Sequence, residues 1–280
     1  MPTQAKSSTH YMPGNCDPKV VVDSYLKGER SRIFGKFNSK PETADMIALK
    51  EKMTSFLFLN TLSGLVGKDT RRHLEHYFTA SGRDLDLNVE NIIASSPAAH
   101  KRFTEEVGQA KAYVETLPFG RHSFASARPE SAAVRKEECP NWYFAMHGYQ
   151  CWGMGEVLVT PDGNQVRYDM KFTYKVFDDY DWHNGMNVTI LKKTMANLVK
   201  RIPYVDDLLN TKPTTKKKNG DYIVEDGTMR EFHAQGLARE FLMQGETTRE
   251  FYWCKGEKIP EYQLAIDPHK AGDVSCGVKL

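Results

Sequence analysis

The chain has 280 residues, 40% hydrophobic and 26% charged, with a net charge of +2. That balance builds a globular core and gives no bulk attraction to nucleic acid or to an anionic membrane surface. No run approaches the about 18 apolar residues of a membrane-spanning helix, so no transmembrane segment is expected.

The opening "MPTQAKSSTHYMPGNCDPK" lacks the apolar middle of a secretory signal, so any export is expected to use a route that reads none. Cys16, Cys139, Cys151, Cys254 and Cys276 show no metal-binding spacing, and their odd count argues against a full disulfide framework. They are expected to be buried or incidental thiols; a Cys139–Cys151 or Cys151–Cys254 bridge after secretion is the alternative.

Residues 1–40 are rich in Pro, Gly, Ser and Lys without periodicity, and predict a loosely ordered leader. A helical region spans 41–117. In "TADMIALKEKMTSFLFLN", Met46, Leu49, Met53, Phe56 and Leu57 recur at helical spacing, with Thr43 or Asp45 as cap. "DTRRHLEHYFTA" predicts a second helix stopped at Ser81-Gly82, and "LDLNV" alternates Leu85, Leu87 and Val89. A third helix runs to about residue 115, with Phe103, Val107, Ala110 and Val114 on one face.

Residues 118–140 predict a linker or a wrapping segment, and from 141 the period becomes two. "NWYFAMHGY" and "GMGEVLVT" predict strands, and "PDGN" a turn. "QVRYDMKFTYKVF" then alternates: Val166, Tyr168, Met170, Phe172, Tyr174 and Val176 face one side, and charged or polar residues the other. Further on, "LKKTMANLVKRI" predicts a helix. "NTKPTTKKKNGD" predicts a solvated loop, or less simply a phosphate-attracting patch. "VEDGTMREFHAQGLAREFLMQG" resumes as helix, and "EFLMQGETTREFYW" ends on a strand. The expected fold class is α+β: an N-terminal helical region followed by an antiparallel, partly barrel-like β-sheet domain (141–280) with one packed helix.

The segment "KVFDDYDWHNG" crowds acids at the end of that long strand. Close carboxylates repel, so the cluster needs a cation, a substrate or open solvent. Asp178, Asp179, Tyr180 and Asp181 are expected just past the strand end, where two carboxylates can converge on Mg²⁺ or Ca²⁺, or one can act as a base beside a phosphate. A solvated Asp-rich turn is the plainer reading. His183 precedes the turn signal Asn184-Gly185.

His233 shares a helical stripe with Met229, Gly236, Leu237 and Glu240, and is either a core-edge histidine or part of the site. Gly236 within a helix costs about 1 kcal/mol and suggests close backbone approach. Arg239 is a candidate phosphate ligand and Glu240 a candidate orienting group; surface pairing is the alternative. Trp142, Tyr143, Phe144, Tyr149, Trp152, Phe172 and Tyr174 either line a groove or fill a β core.

The order of these parts resembles the colicin M family of bacteriocins. "DDYD" resembles the family's active-site run of aspartate, any residue, tyrosine and aspartate, reached through a glycine-containing turn and a strand. Asp178, Tyr180 and Asp181 take those positions, with Trp182 where an aromatic follows. "HLEHYFTASGRDLDLNVENI" resembles the family's His-Tyr-x-x-x-x-Gly segment, and "AQGLAREFLMQGE" its helix-to-strand passage near the C-terminus. The likeness covers residues 70–115 and 140–247. The family's His-Arg pair after the acidic run is replaced by "HNGMNVTI", so His183 or His233 would stand in for its histidine. No energy-coupling box is evident, which favours delivery by a contact-dependent injector such as a type VI secretion system.

The resemblance implies an antibacterial toxin acting in the periplasm of target bacteria. It would hydrolyse lipid II between the undecaprenyl and pyrophosphoryl groups, with Mg²⁺ assisting. Asp178 would be base or metal ligand, Asp181 its partner on the metal, and Tyr180 an orienting hydroxyl. His233 would complete the catalytic set, while Arg239, Trp182 and His183 would bind substrate. A cognate immunity protein and a secretion spike or adaptor protein are the implied partners. Two other classes compete: a non-enzymatic secreted effector or adaptor, and a periplasmic glycan hydrolase using paired carboxylates.

Overall fold

The alternation at 166–176 forms the strand on which the main sheet is built. The computed structural model describes residues 10–18, 35–62, 67–182, 187–190, 215–218, 221–274 and 276. Strand β6 (Gln165–Tyr180) pairs antiparallel with β5 (Gly148–Asp162) on one side and β10 (Phe241–Cys254) on the other. The seven-stranded sheet continues outward from β5 to β3 (Gly120–Ser126) and β1 (Tyr11–Pro13), with β4 (Glu130–Ala133) also on β5. From β10 it continues to β2 (Leu85–Asp86), the one parallel pairing in this sheet among the described residues. A second sheet has the order β7 (Asn187–Ile190), β9 (Asp221–Glu225), β8 (Thr215–Lys218).

The fold class is α+β, but the main sheet does not close into a barrel. Its outermost strands, β1 and β2, are three and two residues long and pair only inward, so the edges never meet. Close crossing of β5 and β6 depends on Gly155: a Cβ there would sit 2.2 Å from the Lys171 carbonyl oxygen.

The helices are α1 (Ala44–Leu62), α2 (Lys68–Phe78), α3 (Val89–Ser95), α4 (Pro97–Val114), α5 (Pro140–Ala145), α6 (Asp226–Ala234), α7 (Glu261–Leu264) and α8 (Pro268–Ala271). The expected third helix is divided at Ser96-Pro97. Proline has no N–H to continue α3, and the Ser96 side chain accepts from the Ala99 N–H to start α4. The expected face of α4 is buried, and Phe103 meets Tyr174 edge-on at 5.4 Å. In α1, Met46 and Leu49 are buried, whereas the side chains of Phe56 and Leu57 lie outside the described residues.

Several expectations are corrected. The supposed linker at 118–140 supplies β3 and β4, because polar alternation there pairs with the edge of β5. "NWYFA" is helical, since Pro140 at the first helical position starts α5 before the strand period takes over at Gly148. Tyr11–Pro13 of the supposed leader is a strand, and part of the lysine-rich loop is β8. The later helix ends at Ala234; Gly236, at φ 73°, lies in the turn beyond it. Its close approach is to Asn38, whose Oδ1 would lie 2.9 Å from an added Cβ. All five cysteines are free thiols, with Cys139 and Cys151 buried. The expected helix over "LKKTMANLVKRI" lies outside the described residues.

Helix α2 is positioned from outside its own sequence. The Asn141 Oδ1 accepts from the Asp69 and Thr70 N–H groups at 3.0 Å each, and its Nδ2 donates to Asp69 Oδ2 at 2.7 Å. Asn141 thus caps a helix whose own preceding residue, Gly67, has no capping side chain. Truncation strands two buried donors and a carboxylate. Asn141→Ala is therefore expected to destabilise the fold by about 2–4 kcal/mol in urea unfolding. A loss below about 0.5 kcal/mol would mean that the cap does not hold α2.

Candidate functional site

Pairing with β10 carries β6 further than its acidic sequence suggests. Asp178, Asp179 and Tyr180 lie opposite Met243, Leu242 and Phe241, so all three are inside the strand and only Asp181 and Trp182 lie past it. This corrects the expectation that the whole acidic run occupies a turn. The backbone ladder outweighs the turn preference of aspartate, and the strand's alternation continues to a buried Tyr180, 6% exposed.

Tyr180 is enclosed by aromatic rings. It stacks on Phe241 at 4.8 Å and 13°, meets Trp182 edge-on at 5.7 Å, and lies 5.9 Å from both His73 and Tyr77 of α2. The Tyr77 hydroxyl donates to the Met229 carbonyl at 2.5 Å, which ties α2 to α6 beside the strand end. His73 Nδ1 is 2.6 Å from the Asp69 carbonyl, so this nitrogen carries the proton and Nε2 is left as an acceptor. Burial pushes His73 down to about 4, and the ring is neutral at physiological pH.

The acids surround this aromatic group. Burial pushes the Asp178 carboxyl well above the usual carboxylate range; an Asp179 backbone hydrogen bond opposes the shift, and the Asp179 and Asp181 charges add to it. Glu240, the residue before β10, is 4% exposed. Burial pushes it up to about 9, with Asp181 and Asp179 adding, against Arg230 and the nearby Trp182 backbone. His233 Nδ1 lies 3.3 Å from Glu240 Oε2, which places the α6 histidine at the edge of the cluster. Burial lowers His233 to about 4, a Gly35 backbone hydrogen bond opposes this, and Arg239 and Arg230 add to it. At neutral pH the proton of this pair therefore sits on Glu240. Among the described residues, the Tyr180 hydroxyl and the Trp182 Nε1 make no hydrogen bond. Buried polar atoms left in this way mark a place where water or a ligand completes the structure.

The structure gathers Asp178, Tyr180, Asp181 and Trp182 at the end of β6 and sets His233 against Glu240, which feels the Asp181 and Asp179 charges. Sequence alone suggests for Glu240 only an orienting role. Its burial comes from the β6–β10 register, which is not written in its neighbours. Arg239 stands apart from the acids: its guanidinium lies over the Phe37 ring at 4.7 Å and packs against Gly82. His183 lies outside the described residues. Of the two readings of the aromatic residues, the core is the one found for Trp142, Phe172 and Tyr174: they are at most 1% exposed, and Phe103 of α4 covers Tyr174. Among the described residues, no group of three or more His, Cys, Asp or Glu side chains is arranged to hold a metal ion.

Comparison with protein-family models, with curated proteins and with solved structures finds no match.

The raised Glu240 value has a consequence for stability. A carboxyl that holds its proton more tightly folded than unfolded contributes stability below its unfolded value of about 4.3. That contribution is lost as pH rises through the folded value near 9. Glu240→Gln, which keeps a neutral polar group, is expected to gain on the wild type by about 1–3 kcal/mol between pH 5 and pH 9 in urea unfolding. Parallel stability curves would show that Glu240 ionises freely in the fold.

Proposed function

We propose that this chain is a colicin M-like antibacterial toxin that hydrolyses lipid II between its undecaprenyl and pyrophosphoryl groups. The observation that carries the reading is a half-buried Asp178 whose carboxyl is pushed well above the usual range, beside the acids Asp179 and Asp181 at one strand end. Environments that let one carboxyl keep its proton next to others are the usual basis of paired acid and base roles.

The chemistry suits that pairing. Water attacks the phosphorus, the bond from phosphorus to the prenyl oxygen breaks, and the departing alkoxide needs a proton. Asp178 donates that proton, and Asp181, half-exposed just past the strand, accepts one from the attacking water. This gives Asp178 the acid role in place of the base or metal-ligand role that the resemblance implies. Tyr180 and Trp182 are the aromatic and hydrogen-bonding wall of the site. His233 acts on it through Glu240. No step is routed through Mg²⁺. The toxin would reach the target periplasm through an injector with its spike or adaptor, and the producer would be protected by a cognate immunity protein.

The test is incubation of purified protein with lipid II and chromatography of the products. The expected products are undecaprenol and the pyrophosphoryl-linked disaccharide. Asp178→Asn is expected to slow their release about 10²–10⁴-fold with little change in the unfolding midpoint. Cleaved glycan strands from peptidoglycan would instead assign the carboxyls to a glycan hydrolase. Undiminished killing by a folded Asp178→Ala protein sent to the periplasm would favour a non-enzymatic effector.

A further inference from the structure

Cys139 and Cys276 come from distant parts of the chain to one place. Cys139 is the residue before α5 and is fully buried. Two residues on, the Asn141 N–H donates to the Cys276 carbonyl at 3.1 Å. Cys276 is half-buried against the core cluster that contains Cys139, and its thiol donates to the Ser95 carbonyl at 3.3 Å. The Cys276 thiol is also one of the groups that raise the Cys139 ionisation, as a near neighbour does. Ala271 and Asp273 are pinned as well: Asn91 Nδ2 donates to their carbonyls at 2.9 and 2.8 Å. Asn91 Oδ1 in turn accepts from Trp142 Nε1 at 2.8 Å. A disulfide needs its Cβ atoms about 3.5–4.5 Å apart, so it forms between cysteines that packing already holds as neighbours.

We propose that Cys139 and Cys276 form a disulfide when the protein enters an oxidising compartment, stapling the C-terminal segment to α5. The other cysteines are placed differently. Cys151 is buried in β5 with its thiol 3.5 Å from the Glu130 carbonyl, Cys254 is on β10, and Cys16 is exposed. The pair is reduced in a producing cytoplasm and oxidised after export. Only this biological setting rests on the proposed function; the bond itself does not. Because Asn141 caps α2, the staple also secures the helix that carries His73 and Tyr77 to the strand end.

Oxidised glutathione supplies the chemistry. Cys276, the more accessible thiol, loses its proton and attacks one glutathione sulfur, breaking that disulfide and releasing one glutathione thiolate. Cys139 then loses its proton and attacks the Cys276 sulfur of the mixed disulfide, releasing the second. Two protein thiols are oxidised, one glutathione disulfide is reduced to two thiols, and the two protons go to the released thiolates. Burial, reinforced by the Cys276 thiol, pushes Cys139 up to about 12, so ring closure is the slow step.

The experiment treats the folded full chain with oxidised glutathione at pH 8, traps remaining thiols by alkylation, and maps the digest by mass spectrometry. The expected result is a linked Cys139–Cys276 peptide and an unfolding midpoint raised by about 5 °C or more. Cys276→Ser, at the half-buried position, is expected to abolish both, and Cys254→Ser to change neither. Cys276 left as a stable glutathione adduct with Cys139 still open to alkylation, or any other pairing, would overturn the proposal.

Discussion

The antiparallel ladder between β6 and β10 is the constraint on which the rest of the site depends. It runs from Arg167–Cys254 to Tyr180–Phe241 without a break. A one-residue slip would turn Tyr180 out to solvent and bring Asp179 onto the buried face. Register therefore decides which acids are desolvated, and the stacked Tyr180–Phe241 pair at the last rung holds the register where it matters.

Helix α2 closes the same end from the other direction. Its N-terminus is held by Asn141 and its C-terminal half by the Tyr77 bond to Met229. His73 and Tyr77 are thus delivered to Tyr180 by a helix that sequence places some hundred residues away. The cluster joins β6, β10, α2 and α6, so the two halves of the chain share one core. His73, Asp178, His233 and Glu240, all with perturbed ionisation, lie at this junction, where desolvation by four elements acts on them.

Local patterns were legible in the sequence to the extent that they were local. The alternation at 166–176 and the apolar face of α4 needed no partner to be recognised, because period alone specifies them. The short strands at 120–126 and 130–133 were hidden in a polar, Ser- and Ala-rich stretch that becomes strand only by pairing with β5. Asp178 and Asp179 were misplaced for the same reason, since aspartate prefers turns until a neighbouring strand satisfies its backbone. His233 and Glu240 were visible as candidates, but not their meeting, which requires the chain to turn at Gly236 and enter β10. The contact between Cys139 and Cys276 is likewise a product of tertiary packing.

The central claim is that the fold makes Asp178 a proton-holding acid among other carboxylates. Its most direct test is a carboxyl titration followed by ¹³C NMR of aspartate-labelled protein, with Asp178→Asn assigning the signal. The account predicts that Asp178 titrates well above the usual aspartate value of about 3.9. A signal assigned to Asp178 that titrates at or below about 4 would contradict it.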